Sequence, residues 1–153
     1  MTNLNIKNKI ILASISPRRI ELLKQWGLKF KVVPSSVNEK TNLKKPSAIV
    51  KHLAFQKACD VKQNFTNACV IGADTIVVLN KKILGKPKNK KHSEKILEEL
   101  NGSLHKVYTG VCIINDFKKT VFYDVASVRM KKLPSKQLKK LFGKHMDKAG
   151  AYA

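Results

Sequence analysis

Apolar and polar positions recur in distinct periods along this chain, and the periods predict its elements. Residues 10–12 (Ile-Ile-Leu) form a short apolar run suited to a buried strand. Ala13, Ser14, Ile15 and Ser16 follow, and Pro17 stands at the first position of a helix, where its missing N–H costs nothing. Ser16 reads as the N-cap, Ile20, Leu22 and Leu23 as apolar helical positions, and Gly27 as the stop. Residues 30–33 suit a second strand, ended by Pro34, and 35–46 a polar loop carrying one acid, Glu39. Pro46 and Ser47 open a helix with Ile49, Val50, Leu53, Ala54 and Ala58 on one stripe and Lys57 near its end. Ala68–Leu79, ACVIGADTIVVL, is the most strand-like stretch, and Gly72 within it allows a bulge or a close backbone approach. Residues 80–82 predict a turn and 83–84 a short strand, stopped by Gly85-Lys86-Pro87. A helix over 93–100 turns Ile96, Leu97 and Leu100 inward and closes at Asn101-Gly102. Residues 107–115 and 121–130 read as a long hairpin across a polar turn. Pro134 and Ser135 open a last helix with Leu138, Leu141 and Phe142 on its apolar face and Gly143 at its end, before the run DKAGAYA at 147–153. This order predicts an α/β fold, and the hairpin argues against a purely parallel sheet.

Composition adds a strong bias. The 153 residues, 43% of them hydrophobic, suffice for one domain with a core, with no internal repeat and no linker. Lys and Arg number 31 against 10 acids, a formal charge of +21, which predicts attraction to phosphates in nucleotides, nucleic acid or an anionic membrane. The Lys residues are spread along the chain and no aromatic pattern of an RNA-binding sheet stands out, so a solvated Lys-rich surface is favoured over a dedicated nucleic-acid face. Cys59, Cys69 and Cys112 lie far apart, without metal spacing or a disulfide framework, which fits a reducing cytoplasm. His52, His92, His105 and His145 are equally scattered and suggest no zinc site. The first residues read as no signal-peptide core, and no segment reads as membrane-spanning.

Three places look equipped for phosphate chemistry. Only three Arg occur in the chain, and two of them, Arg18 and Arg19, are adjacent in the turn that also carries Ser14 and Ser16. Arg offers a planar fork that binds phosphate bidentately, and a helix N-terminus favours an anion. Taken alone, such a turn is equally a helix start with two solvated cations. Asp74 is one of ten acids and sits inside an apolar strand, where a strand-end cap is the alternative to a catalytic role. Lys57 and Lys86 could hold phosphates, although each is one of many Lys. Asp74 and Glu39 could hold Mg²⁺ or Mn²⁺ through oxygen ligands, although an acid in a polar loop is more often merely solvated.

The segments LASISPRRIELL, HLAFQKA, GADTIVVL, GKP, HKVYTGV and DKAGAY occur in that order from Leu12 to Tyr152. Together they resemble the Maf family of nucleoside triphosphate pyrophosphatases, over nearly the whole chain. The resemblance implies the fold shared with the inosine triphosphate pyrophosphatases: an elongated α/β domain with a curved mixed sheet flanked by helices and a cleft between two lobes. It implies hydrolysis of a nucleoside triphosphate to the monophosphate and pyrophosphate with a divalent cation, Mg²⁺ or Mn²⁺. It makes Asp74 the general base and a metal ligand beside Glu39. It makes Ser14, Ser16, Arg18, Arg19, Lys57, Thr75 and Lys86 the substrate-binding set.

Within the family, Arg18, Thr75 and the run at 147–152 are similar to the branch acting on dTTP and UTP. The branch acting on 7-methyl-GTP typically has Trp and Gln at the positions of Arg18 and Thr75. Family members continue past this run through an Ile-Gln-Gly segment, strands and a helix. The resemblance therefore implies a single Maf-like domain, 1–153, lacking the C-terminal segment and its specificity Gln. The charge motivates a second reading: a Maf-fold protein without turnover, acting in nucleic-acid binding or in regulation of cell division and septum formation. Dimerisation is left open by the sequence.

Overall fold

The computed structural model describes residues 9–152. Ala153, the last residue of the DKAGAYA run, and the first eight residues, over which no signal-peptide core is read, lie outside that range. Six strands, β1 (Lys9–Leu12), β2 (Phe30–Val32), β3 (Ala68–Leu79), β4 (Lys82–Leu84), β5 (Leu104–Ile114) and β6 (Lys119–Arg129), form one mixed sheet in the order β2-β1-β3-β5-β6, with β4 on β3. The chain packs as two compact units, one made of the residues up to Asp74 with Gly110–Tyr123, the other of Thr75–Thr109 with the residues from Asp124 on.

In the first unit, β1 (Lys9–Leu12) runs parallel to both β2 (Phe30–Val32) and β3 (Ala68–Leu79). A strand flanked on both sides cannot expose its backbone, and Ile10, Ile11 and Leu12 are all buried, as an unbroken apolar run requires. The helix α1 (Pro17–Gln25) begins at the proline and ends before Gly27, whose φ of +71° closes it. It buries none of its residues, and Leu22 and Trp26 are exposed. The longer α2 (Pro46–Lys62) lies against the sheet through Ala54, Ala58 and Val61, which share a core with Ile11, Ala13, Val70 and Cys112. Two glycines permit this approach. A Cβ on Gly72 would stand 2.4 Å from the Ala54 carbonyl oxygen, and one on Gly110 2.3 Å from that of Val50. The close-approach reading of Gly72 is therefore correct, and the bulge is unnecessary.

In the second unit, β3 turns back through Asn80 and Lys81, both at positive φ (48° and 67°), into the antiparallel β4 (Lys82–Leu84). Two consecutive positive φ values match the right-handed twist of a two-residue hairpin. The helix α3 (Lys90–Leu100) starts three residues earlier than the apolar pattern predicts, because Asn89 caps it: its Oδ1 accepts the His92 N–H at 2.8 Å. Ile96, Leu97 and Leu100 join Val77, Leu79, Leu84 and Leu138 in this unit's core. β5 (Leu104–Ile114) and β6 (Lys119–Arg129) form the hairpin, and their inner halves belong to the first unit. The last helix, α4 (Ser135–Lys139), is shorter than its apolar spacing suggests, and turns carry Leu141 and Phe142 onto the core. A 3₁₀ turn, Ala149–Ala151, ends the described chain, with Gly150 N–H donating to the Gly85 carbonyl at 3.2 Å.

His105 is buried in this unit at 2% exposure, with Nε2 2.7 Å from the Tyr152 hydroxyl. Burial holds its pKa below the ordinary 6.5. On acidification the unfolded chain therefore takes this proton before the folded one does. Stability is intact above about pH 6.5 and falls as the pH drops below it. Melting temperatures between pH 7 and 5.5 should decline, and His105→Gln should flatten that decline. Equal acid sensitivity in both proteins would contradict a neutral, buried His105.

Candidate active site

The site is built in the first unit, from the turn after β1 outward. The Ala13 N–H donates to the Ile71 carbonyl at 2.8 Å, so the turn leaves the sheet in register with β3. Ser14 is buried, and its Oγ accepts from the Ser16 N–H at 3.3 Å and from Arg19 Nη1 at 3.0 Å. Ser16 holds the cap position, with its carbonyl accepting the Arg19 and Ile20 N–H groups at 3.1 Å. Ser16 is thus the N-cap the sequence predicts, although its hydroxyl makes no capping bond. The same Arg19 Nη1 donates to the Ala73 carbonyl at 2.9 Å, one residue before Asp74. One guanidinium thus ties the phosphate-type turn to the acidic strand. Burial lowers the Arg19 pKa from its ordinary value, while the charges of Asp74 and Glu39 oppose that shift. The guanidinium keeps its proton at any working pH.

Asp74, 6% exposed, is the buried acid of β3, and Lys57 reaches it from α2. Lys57 Nζ lies 2.7 Å from Asp74 Oδ1 and 2.9 Å from Glu39 Oε1. The Lys57 and Asp74 side chains are 10% and 8% exposed, Glu39 47%. The cluster therefore grades from a dry strand acid to a wet loop acid, with one ammonium between them. Charges in such a setting persist only when paired. Arg19 and Lys57 balance Asp74 and Glu39 formally, so a nucleotide adds negative charge to a neutral set. Among the described residues no group of three or more His, Cys, Asp and Glu gathers. The two carboxylates converge on the Lys57 ammonium, and they are the acids here that could hold a hard divalent cation through oxygen.

The loop at 33–45 has no regular structure, yet it must present Glu39. Asp60, one helical turn beyond Lys57 on α2, anchors its first residues. Its Oδ2 accepts the Ser35 hydroxyl at 2.9 Å and the Ser36 N–H at 2.8 Å. The Ser36 N–H first, and the Ser35 hydroxyl second, hold the Asp60 carboxyl below its ordinary 3.8. If Glu39 holds the divalent cation that the family resemblance implies and this anchor positions it, Asp60→Ala should raise the Mg²⁺ concentration for half-maximal activity by roughly tenfold and leave the rate at saturating Mg²⁺ nearly unchanged. An unchanged Mg²⁺ titration would make the anchor merely structural.

Of the residues expected from the sequence, the structure brings Ser14, Arg19, Lys57, Asp74 and Glu39 together. Ser16 is half-buried beside Ser14, and Arg18 is exposed on the neighbouring position of α1. Two adjacent helical residues point about 100° apart, so only Arg19 turns to Ser14 and β3. Thr75 and Lys86 belong to the second unit: Thr75 Oγ1 lies 3.1 Å from Thr109 Oγ1, and Lys86 is exposed between Gly85 and Pro87. Sequence reasoning missed Asp60 and the Ala73 carbonyl. The spacing of Asp60 from Lys57 was the available signal for the first, whereas a backbone acceptor leaves no trace in side-chain identity.

The fold is a mixed α/β sheet flanked by helices, and Arg19, Lys57, Asp74 and Glu39 form a charged cluster upon it. The chain belongs to the Maf family: the family described as "Maf-like protein" matches residues 9–153. It is 50% identical over 147 residues to the dTTP/UTP pyrophosphatase of Elusimicrobium minutum, covering 95% of this chain and 80% of that one. It is 42% identical over 153 residues to the enzyme of the same name from Dictyoglomus thermophilum (96% and 79%), and 40% identical over 146 residues to that of Aquifex aeolicus (94% and 77%). Among solved structures it resembles the Ham1 protein of Staphylococcus aureus, with a TM-score of 0.57 and 17% identity over 79% of this chain and 71% of that one. That likeness supports the expected fold, a mixed sheet flanked by helices, and nothing finer.

Proposed function

We propose that this chain hydrolyses dTTP and UTP to the nucleoside monophosphate and pyrophosphate. The observation that carries the reading is the buried Asp74–Lys57 pair, extended by Glu39 and bordered by Arg19 on Ser14. The bond broken is the α–β phosphoanhydride. Asp74 takes the proton of the attacking water, and Arg19 and Lys57 offset the charge gathering on the phosphate oxygens. Arg18, exposed at the helix start, presents its fork to the phosphates, with Ser14 and Ser16 as hydroxyl donors. Thr75 and Lys86 complete the substrate-binding set. Glu39 and Asp74 would hold Mg²⁺ or Mn²⁺, which neutralises phosphate charge when bound. The Maf-like domain takes in residues 1–153. No helix of the described residues is long and apolar enough to cross a membrane. The three cysteines are free thiols, which supports placing the protein in the cytoplasm.

Product analysis tests the reading. With dTTP the products should be dTMP and pyrophosphate in equal amounts. Release of dTDP and phosphate would move the cut to the β–γ bond and overturn the proposal. Changing both Arg18 and Arg19 to Lys conserves charge and removes the forks, so KM for dTTP should rise roughly tenfold or more. An unchanged KM would return the pair to a solvated surface role.

A further inference from the structure

Residues 85–95 and 131–148 are far richer in Lys than the rest of the chain: five in the first segment and seven in the second, with Glu94 and Asp147 their only acids. Asp147 is already engaged by its neighbour Lys148 at 2.8 Å. Both segments lie in the second unit, and named bonds lay one along the other. Asn101, just past the end of α3, donates from Nδ2 to the Leu133 carbonyl at 3.0 Å and accepts the Leu133 N–H at 2.8 Å. Ten residues later the Gly143 N–H donates to Ser93 Oγ at 3.1 Å, in the first turns of α3. A Cβ on Gly143 would sit 3.3 Å from Lys90 Cγ, so the Lys90 stem runs against this point. The strap at 133–143 therefore runs antiparallel along α3, a helix of about 16 Å.

The strap's apolar residues, Leu138, Leu141 and Phe142, turn into the core. Its lysines face water. Lys88, Lys90 and Lys91 on one side and Lys136, Lys139 and Lys140 on the other are exposed. Between helix and strap lies a cavity of about 300 Å³, lined by Glu98, Asn101, Ser135, Leu138, Lys139 and Phe142. Glu98 repels an anion from the cavity itself, which leaves the lysine rims as the binding surface.

We propose that these rims bind the phosphate backbone of a nucleic-acid strand. The exposed large apolar side chains of the described residues lie outside both segments, so the face lacks the insertion residues of a membrane-surface helix. It carries Lys and no Arg, hence compact point charges without the planar fork used for base edges. The surface therefore grips phosphates independently of sequence and without the residues of the nucleotide site.

Fluorescence anisotropy with a labelled oligothymidylate and an oligouridylate, titrated over a range of salt, tests this. The surface variant changes Lys88, Lys91, Lys136 and Lys140 to Gln. A control of equal net charge changes Lys24, Lys29, Lys44 and Lys118 to Gln, and melting temperatures check that both fold. The surface variant should bind at least roughly tenfold more weakly, and its salt slope should shrink by about 3, near 0.7 for each phosphate no longer neutralised. The control should stay close to the unmodified protein. Equal weakening in both variants would show the charge to be diffuse and overturn the proposal. Absence of salt-dependent binding, or binding to phosphatidylserine vesicles without binding to either oligonucleotide, would overturn it as well.

Discussion

Asp74→Asn should fold normally and release pyrophosphate about a thousandfold more slowly, or not measurably. Asn keeps the shape of the side chain and its acceptor toward Lys57, but it cannot take a proton from water. The fold survives because Lys57 retains a counter-charge: Glu39 Oε1 stands 2.9 Å from the same Nζ. Loss of a buried partner is severe only where the remaining charge is left alone. A near-unmodified melting temperature with activity lost separates chemistry from stability. Activity within a few-fold of the unmodified protein would remove Asp74 from the reaction.

The largest stability effect is expected at the glycines under α2. Gly110→Ala places a methyl 2.3 Å from both the carbonyl carbon and the oxygen of Val50, and 2.8 Å from the Lys51 nitrogen. These are backbone atoms of a buried helix, so no side chain can swing away and the helix itself must shift. With backbone in the way, the cost should reach the top of the usual overpacking range, about 3 kcal/mol, a fall of roughly 6–12 °C in melting temperature at this size. Gly72→Ala, facing Ala54 and Ala58, should behave alike. Gly85→Ala meets nothing within 4 Å and supplies the control, with a change of about 0.5 kcal/mol or less. Thermal melts of the three variants decide the matter. A Gly110→Ala protein as stable as Gly85→Ala would show that α2 does not rest where the structure puts it.

Much of this fold is legible in the chain because its signals are local. Pro17 and Pro46 each open a helix at the position a proline tolerates, and Ala68–Leu79 holds as one strand from end to end. The start of α3 escapes the apolar pattern, whose first residue is Ile96, while the cap, Asn89, lies seven residues upstream. The shortness of α4 is hidden for the opposite reason. Leu141 and Phe142 keep helical spacing with Leu138 although turns carry them.

The candidate site divides along the same line. An acid inside an apolar strand and two Arg in a Lys-rich chain are anomalies visible in one dimension. The partnership of Glu39 with Lys57 spans a loop without periodicity, and the anchoring of that loop by Asp60 depends on how it folds back onto α2. Neither interaction has a local cause. The separate directions of Arg18 and Arg19 follow from helix geometry, yet which of the two faces β3 is decided by the packing of α1.

A pyrimidine triphosphate as the substrate of this cluster is tested most directly by initial rates of pyrophosphate release across dTTP, UTP, CTP and GTP, at saturating Mg²⁺. A pocket that hydrogen-bonds a base edge rejects a wrong base strongly, because buried polar groups are then left unpaired. The expected kcat/KM for dTTP and UTP exceeds that for GTP by about a hundredfold or more. A preference for GTP, or no release from any of the four, would contradict it.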